Sequence, residues 1–347
     1  MRVDFVNFGA QYRQHKEEYD EAIFKCLNEG KLILQEDVEE FEGNLAKFLG
    51  MKYAVGTSSG TDALTLALKA KRRIYPELRA GSSRVDIPGY TFKATMEAAS
   101  HAGYSPIISD ITRDRLLPEN RAVGTSVPVY RGRCIPVHIE GSVCKAKGTV
   151  LVEDACQAIG ARGVGYSGTA CYSFYPAKIL GGFGDGGAVV TNDKGVADEV
   201  RLLRHHWQTD KDEEYGFCSR LDNVQAAFLN VKLKYLPGIL ERRQKIAEMY
   251  LEALTDVVGL PVASVERVWQ DFVCTVENPK ELQEHLKKNG IETLGVGMIP
   301  PHIALNTGQS LPNTEKLYRE MIRLPLNETL TDDDVNYVIS KVNELYD

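Results

Sequence analysis

The sequence predicts an α/β fold: a mainly parallel seven-stranded sheet between helices over residues 1–240, then a smaller α+β unit over 241–347. Three observations carry this. Short apolar runs alternate with amphipathic helical periods up to the run near Val189, the pattern of strand, crossover helix and strand. One of these runs, Thr149 to Val152, ends in Glu153-Asp154, as expected of a buried strand that delivers an acidic side chain at its carboxyl end. Beyond residue 222 the alternation gives way to two successive helical patterns and then a short mixed region.

Taken in order, residues 17–28 and 38–48 have the spacing of amphipathic helices, and a strand is expected near Ala54. Small residues from Val55 to Ala63 then lead into a helix over 61–70, whose apolar positions include Leu64, Leu66, Ala67 and Leu68. The basic cluster Lys69 to Arg73 closes that helix and complements its C-terminal dipole. Strands are expected near Val85, Ile107, Cys134, Leu151, Tyr172 and Val189, with a helix over 93–102 between the first two. Residues 222–235 and 238–255 read as two helices, the second a connector to the smaller unit. That unit reads as a strand around Phe272, a helix over 280–288, a strand over 292–295 and a final helix over 332–346, with no internal repeat.

The chemistry is concentrated in three places. Lys178 lies between the strand over 170–175 and the turn Gly184-Asp185-Gly186-Gly187, so it sits on a loop held at both ends. A lone loop lysine is ordinarily a solvated charge, but these flanks are how a pyridoxal 5'-phosphate (PLP) enzyme presents its Schiff-base lysine. Asp154 supplies the second requirement. A carboxylate against the pyridine nitrogen keeps it protonated, and the protonated ring is the electron sink. By itself Asp154 also suits a helix N-cap. The third requirement is a phosphate site, and the Ser/Gly/Thr-rich helix start at Ser58 to Thr61 offers backbone N–H groups to an anion.

Together these residues resemble the DegT/DnrJ-type sugar aminotransferases, a branch of the aspartate-aminotransferase-like, fold-type-I PLP enzymes. The likeness runs over nearly the whole chain. It includes Ser59 to Leu64, Pro88 to Thr95, Pro136-Val137-His138, Glu153 to Gly160, Ser173 to Lys178 with Gly184 to Gly187, Ser219 to Ala227 and Leu324-Pro325. The resemblance implies that Lys178 holds the cofactor and then moves a proton between substrate and cofactor. It implies that Asp154 pairs with the pyridinium, Gln157 contacts the ring hydroxyl side, Phe92 stacks on the ring, and Ser59, Gly60, Thr61 and Ser173 surround the phosphate. It further implies a homodimer in which Cys218 faces the cofactor of the neighbouring subunit. The reaction implied is transfer of the amino group of L-glutamate to a keto-sugar nucleotide, ping-pong through pyridoxamine phosphate.

Departures from the family pattern open alternatives. Cys218 stands where an asparagine normally reaches the phosphate, and S–H is a weak donor. The stretch between Asp110 and Asp154 is shortened, which keeps open an acceptor that is a keto-cyclitol or a keto sugar without nucleotide. Gln35 replaces a common glycine, and Glu140 follows the histidine motif where a hydrophobic or aromatic residue is usual. A third reading, a regulatory homologue without turnover, is raised by Cys218 and opposed by the presence of Lys178 and Asp154. His138, Glu140 and His302 are further pocket candidates that equally suit structural roles.

Composition excludes more than it specifies. The 347 residues carry a net charge of −7 with 43% hydrophobic and 26% charged residues, which suits a large core and disfavours nucleic acid as a partner. Local positive charge for a nucleotide diphosphate could come from Arg201, Arg204 or Arg220. Seven scattered cysteines without a CxxC pair suggest reduced thiols. Adjacent His205 and His206, read as helical, would point apart rather than share a metal. With no secretory h-region and no apolar run of membrane-spanning length, a cytoplasmic location and no membrane partner are expected.

Overall fold

The computed structural model describes residues 1–80, 83–111, 132–206 and 216–346. Most of the shortened stretch, residues 112–131, lies outside the described residues.

The strands of the larger unit are β1 (Tyr53–Thr57), β2 (Arg84–Pro88), β3 (Ser105–Ser109), β4 (Arg133–Cys134), β5 (Thr149–Val150), β6 (Glu153–Asp154), β7 (Thr169–Ser173) and β8 (Gly187–Thr191). They pair as two four-stranded groups, β3-β2-β4-β5 and β6-β7-β8-β1. The groups are halves of one sheet. Leu151 N–H donates to Cys134 O at 3.0 Å and Asp154 N–H to Pro136 O at 2.9 Å, so β5 and β6 lie on one path beside β4. A parallel bridge between Val137 and Asp154 completes the join. The expected seven strands are therefore present, with the one near Leu151 split in two. The sheet is parallel except at β8, which runs antiparallel to both β7 and β1.

Both faces of this sheet are buried, and the period-2 geometry of the strands divides their side chains between two cores. Val55, Cys171 and Val189 face a core that includes Leu64, Leu66 and Leu68 of the helix Gly60–Ile74. Ala54, Ala170, Tyr172, Ala188 and Val190 face the other, with Phe41 and Leu45 of the helix Glu36–Leu49. The near-continuous apolar runs of β7 and β8 are thus strands buried on both sides.

One expectation is corrected by the helix Asn223–Ala253, which is continuous where the sequence reads as two helices. Pro237 lies inside it. Proline removes one intrahelical hydrogen bond and crowds the preceding turn, yet both flanks are anchored. Phe228, Leu229 and Leu236 pack into the second core, and Ile246, Ala247 and Tyr250 into a third. Burial on both sides outweighs the local penalty. Residues 240 and 241 fall inside this helix, whose halves belong to different cores.

The third core belongs to the C-terminal residues. Here β9 (Phe272–Thr275) pairs antiparallel with β10 (Met321–Leu324), and the helices Pro279–Lys288 and Asp332–Asn343 contribute Leu282, Leu286, Val335 and Val338. The strand expected over 292–295 is reduced to a bridge between Leu294 and Arg323. Gly295 and Gly297 at positive φ turn the backbone out of extended geometry there. β10 and the helix Pro312–Glu320 are additional to the sequence reading. Val3 joins this core and bridges Ile291, so the N-terminal end docks on the C-terminal unit. Among the described residues no helix is long and apolar enough to cross a membrane.

Candidate active site

The site is built where β1, β6, β7 and β8 meet the start of the helix Gly60–Ile74. Ser59 caps that helix by accepting the Asp62 N–H at 3.1 Å. Helix geometry then leaves the N–H groups of Gly60 and Thr61 directed outward, where the dipole favours an anion. Glycine is required at 60, because a Cβ there would stand 2.7 Å from Ser173 Cβ and 2.8 Å from Cys156 Sγ. Gly187 is required for the same reason: a Cβ would come within 2.3 Å of Ser59 O. Ser173, at the end of β7, is thereby brought against the cap.

Asp154 is 6% exposed and doubly held. Its Oδ2 accepts from Thr95 Oγ1 at 2.7 Å and its Oδ1 from Cys156 N–H at 3.1 Å. Thr95, fully buried, orients the carboxylate, and the sequence reading missed it although it closes the Pro88–Thr95 motif. Behind Asp154 lies a second acid pair. His138 Nδ1 accepts the Cys144 N–H at 3.0 Å, so its Nε2 carries the proton donated to Glu153 Oε2 at 3.0 Å. Burial alone would raise the Glu153 carboxyl, but hydrogen bonds from His138 and Ser167 hold it below its ordinary range.

Lys178 is part-buried on a loop closed by Lys178 N–H to Tyr175 O at 2.8 Å and Gly182 N–H to Phe174 O at 2.8 Å. Lys232 supports the loop from below, its Nζ donating to Gly181 O at 3.0 Å. Burial pushes the Lys232 ammonium down from 10.5 to about 8, against the pull of Glu328. The unfolded chain therefore binds more protons than the folded one between these values, and this residue's contribution to stability rises with pH across that window. The melting temperature of the wild type should gain on that of Lys232→Met between about pH 8 and pH 10. Parallel thermal curves would show that Lys232 keeps an ordinary ammonium.

Ser59, Gly60, Thr61, Phe92, Asp154, Gln157, Ser173 and Lys178 all line one cavity of about 550 Å³, and so does His138 of the further pocket candidates. Phe92 is 60% exposed at its edge. Cys218 and Arg220 are not on this lining. Cys218 is exposed, and Arg220 donates to its Sγ at 3.1 Å and contacts His205 Nδ1 at 3.2 Å. Glu140 is buried behind the wall, bonded to Tyr90 Oη and 3.5 Å from Arg267, and burial raises its carboxyl. His302 pairs with Glu315 away from the lining. Arg204 is withdrawn from ligand binding by its buried contacts with Glu42 and Gly56 O. His205 and His206 follow the end of the helix Lys194–Leu203 rather than lying on it. Among the described residues no cluster of His, Cys, Asp and Glu could hold a metal. The sequence reading missed a wall supplied by the C-terminal unit: Arg243, Gln270, Asp271 and Arg323.

This donor set meets the three needs of PLP: an anion cradle at Gly60 and Thr61, a buried carboxylate at Asp154 for a ring nitrogen, and a primary amine at Lys178. The model of the DegT/DnrJ/EryC1/StrS aminotransferase family matches residues 13–343. The chain belongs to this family. Among the relatives of this DegT-family chain is a dTDP-3-amino-3,4,6-trideoxy-alpha-D-glucose transaminase from Streptomyces venezuelae, 34% identical over 99% of this chain and 96% of the relative. The crystal structure of S. venezuelae DesV superposes with a TM-score of 0.84 at 33% identity, covering 99% of this chain and 98% of that one. NtdA from Bacillus subtilis, solved with bound pyridoxamine phosphate, gives a TM-score of 0.84 at 26% identity, covering 99% of this chain and 85% of that one. The fold-type-I architecture expected of a DegT-family aminotransferase is thus the one observed.

Proposed function

We propose that this aminotransferase, with PLP as cofactor, moves the amino group of L-glutamate to the keto group of a nucleotide-linked sugar. The observation that carries the reading is the convergence of Lys178, Asp154 and the Gly60–Thr61 helix start on one cavity. Bound PLP supplies an electron sink for the charge that develops when a proton leaves the carbon bearing the amino group. The protein does the rest. Asp154 holds a positive ring nitrogen in a site where Thr95 and Cys156 N–H already fix the carboxylate. Lys178 Nζ, once displaced by the donor's amine, takes the proton from the donor α-carbon and returns it on the cofactor side. Water then breaks the bond between the donor carbon and nitrogen, releasing the keto acid and leaving the amino group in the site before the sugar enters, and the steps run in reverse on the sugar's ketone.

A donor that carries a carboxylate is supported by Arg323, a cation on the cavity lining. Its carboxylate neighbour, Asp271, is 3.3 Å away. A homodimer is supported by the apolar residues Phe24, Leu27, Leu32 and Ile33, all exposed on the isolated chain. In that assembly Cys218 and Arg220, absent from their own cavity lining, would serve the partner's cavity.

The test is to load the protein with PLP and add glutamate without acceptor. One equivalent of 2-oxoglutarate per site, with a shift in the cofactor's absorbance, supports the reading; a spectrum indifferent to glutamate overturns the donor. Stabilisation by UDP or dTDP in thermal melts would separate a nucleotide-linked acceptor from a keto-cyclitol or a free keto sugar. Cys218→Asn should tighten cofactor binding by roughly five- to tenfold if an amide at this position regains a phosphate contact. Unchanged affinity in a cofactor titration would show that the contact has been replaced within the subunit, with Ser219, which accepts from Ser58 N–H at 3.3 Å, the nearest candidate.

A further inference from the structure

We propose that Gln270 is a positioning residue for Lys178, delivered from the C-terminal unit; this rests on reading Lys178 as the cofactor-bearing lysine. The Gln270 side chain is buried at the cavity wall, just before β9. Its Nε2 donates to Ala177 O at 2.9 Å, and its Oε1 accepts the Ile179 N–H at 3.1 Å. These are the peptide groups immediately before and after Lys178. One planar amide therefore fixes both sides of the lysine's backbone while leaving its side chain free to move.

Gln270 is itself anchored. Its carbonyl accepts from Arg243 Nη1 at 3.2 Å, and the same guanidinium binds Trp269 O at 3.1 Å and Leu326 O at 3.0 Å. Arg243 is in turn paired with Glu328 at 3.0 Å. The lysine loop of the larger unit is thus registered against a rigid part of the smaller one. A primary amide is the side-chain group that offers a donor and an acceptor in one plane. A carboxylate keeps the acceptor for Ile179 but sets oxygen against oxygen at Ala177, and a thioether offers neither contact.

A lysine that must first hold the cofactor and then move a proton needs its Cα fixed, because a displacement of about 1 Å at the reacting atoms costs on the order of 100-fold in rate. The test compares wild type, Gln270→Glu and Gln270→Met in two measurements. In cofactor-free protein, hydrogen exchange of the peptide spanning residues 175–183 should quicken about tenfold in Gln270→Met, the factor expected for one lost N–H bond, with less change in Gln270→Glu. In loaded protein, both variants should lose kcat by roughly 10- to 100-fold at little altered donor KM, with slower attachment of PLP to Lys178 as read by borohydride trapping. Unchanged exchange, or unchanged kcat and trapping rate in Gln270→Met, would overturn the proposal. If borohydride fails to fix PLP on Lys178 in the wild type, the reading of Lys178 fails instead, and the exchange data still report whether the amide holds the loop.

Discussion

Lys178→Ala is expected to abolish transamination, with a loss of at least roughly 10⁴-fold in turnover, because one substitution removes both the covalent anchor and the proton carrier. The variant should still bind PLP without a covalent link. The cradle at Gly60 and Thr61 and the carboxylate of Asp154 are built from other elements, and the Lys178 loop is closed by backbone bonds that alanine retains. Steady-state turnover alongside a cofactor titration checks both halves. Activity within tenfold of wild type would sink the mechanism.

Asp154→Asn should give the second-largest effect, a fall in kcat of roughly 10²-fold, equivalent to about 3 kcal/mol, with a smaller change in cofactor affinity. The isosteric amide can occupy the same space between Thr95 and Cys156, but it carries no charge to keep a ring nitrogen protonated. The expected signature is turnover loss that exceeds the loss of cofactor binding when both are measured on one preparation. Equal losses would mean that Asp154 acts as a plain binding contact.

The large sheet and its catalytic face were legible in the sequence because buried strands and glycine turns are local signals. The alternation of Ala188, Val189 and Val190 between two cores is what a short run of small and β-branched residues encodes. Gly187, just ahead of that run, marks the close approach of β8 to the Ser59 carbonyl. The nine cavity residues read from the sequence, His138 among them, came from motifs on β6, β7 and the loops and helix starts beside the sheet.

What the sequence did not disclose depends on long-range packing. Gln270 and Arg323 lie far along the chain from Lys178 and reach the cavity only because β9 and β10 pair and dock beside it. Neither sits in a periodic pattern or a glycine-rich motif that marks it as more than a polar residue in or beside a strand. Thr95 was within a recognised motif, yet its bond to Asp154 exists only once β6 and the start of the helix Ala94–His101 are brought together. The split between 222–235 and 238–255 failed for a related reason: a proline at 237 opposes a helix locally, and tertiary burial on both sides overrides it.

The position of β1 has a consequence for synthesis on the ribosome. Among the described residues this strand pairs only with β8, whose first residue emerges about 130 residues later. At elongation rates of about 5–20 residues per second, β1 waits roughly 7 to 26 seconds for its partner. During that interval the nascent chain carries an unpaired apolar edge and an unfinished anion cradle, so chaperone demand should fall on this early segment rather than on the C-terminal unit.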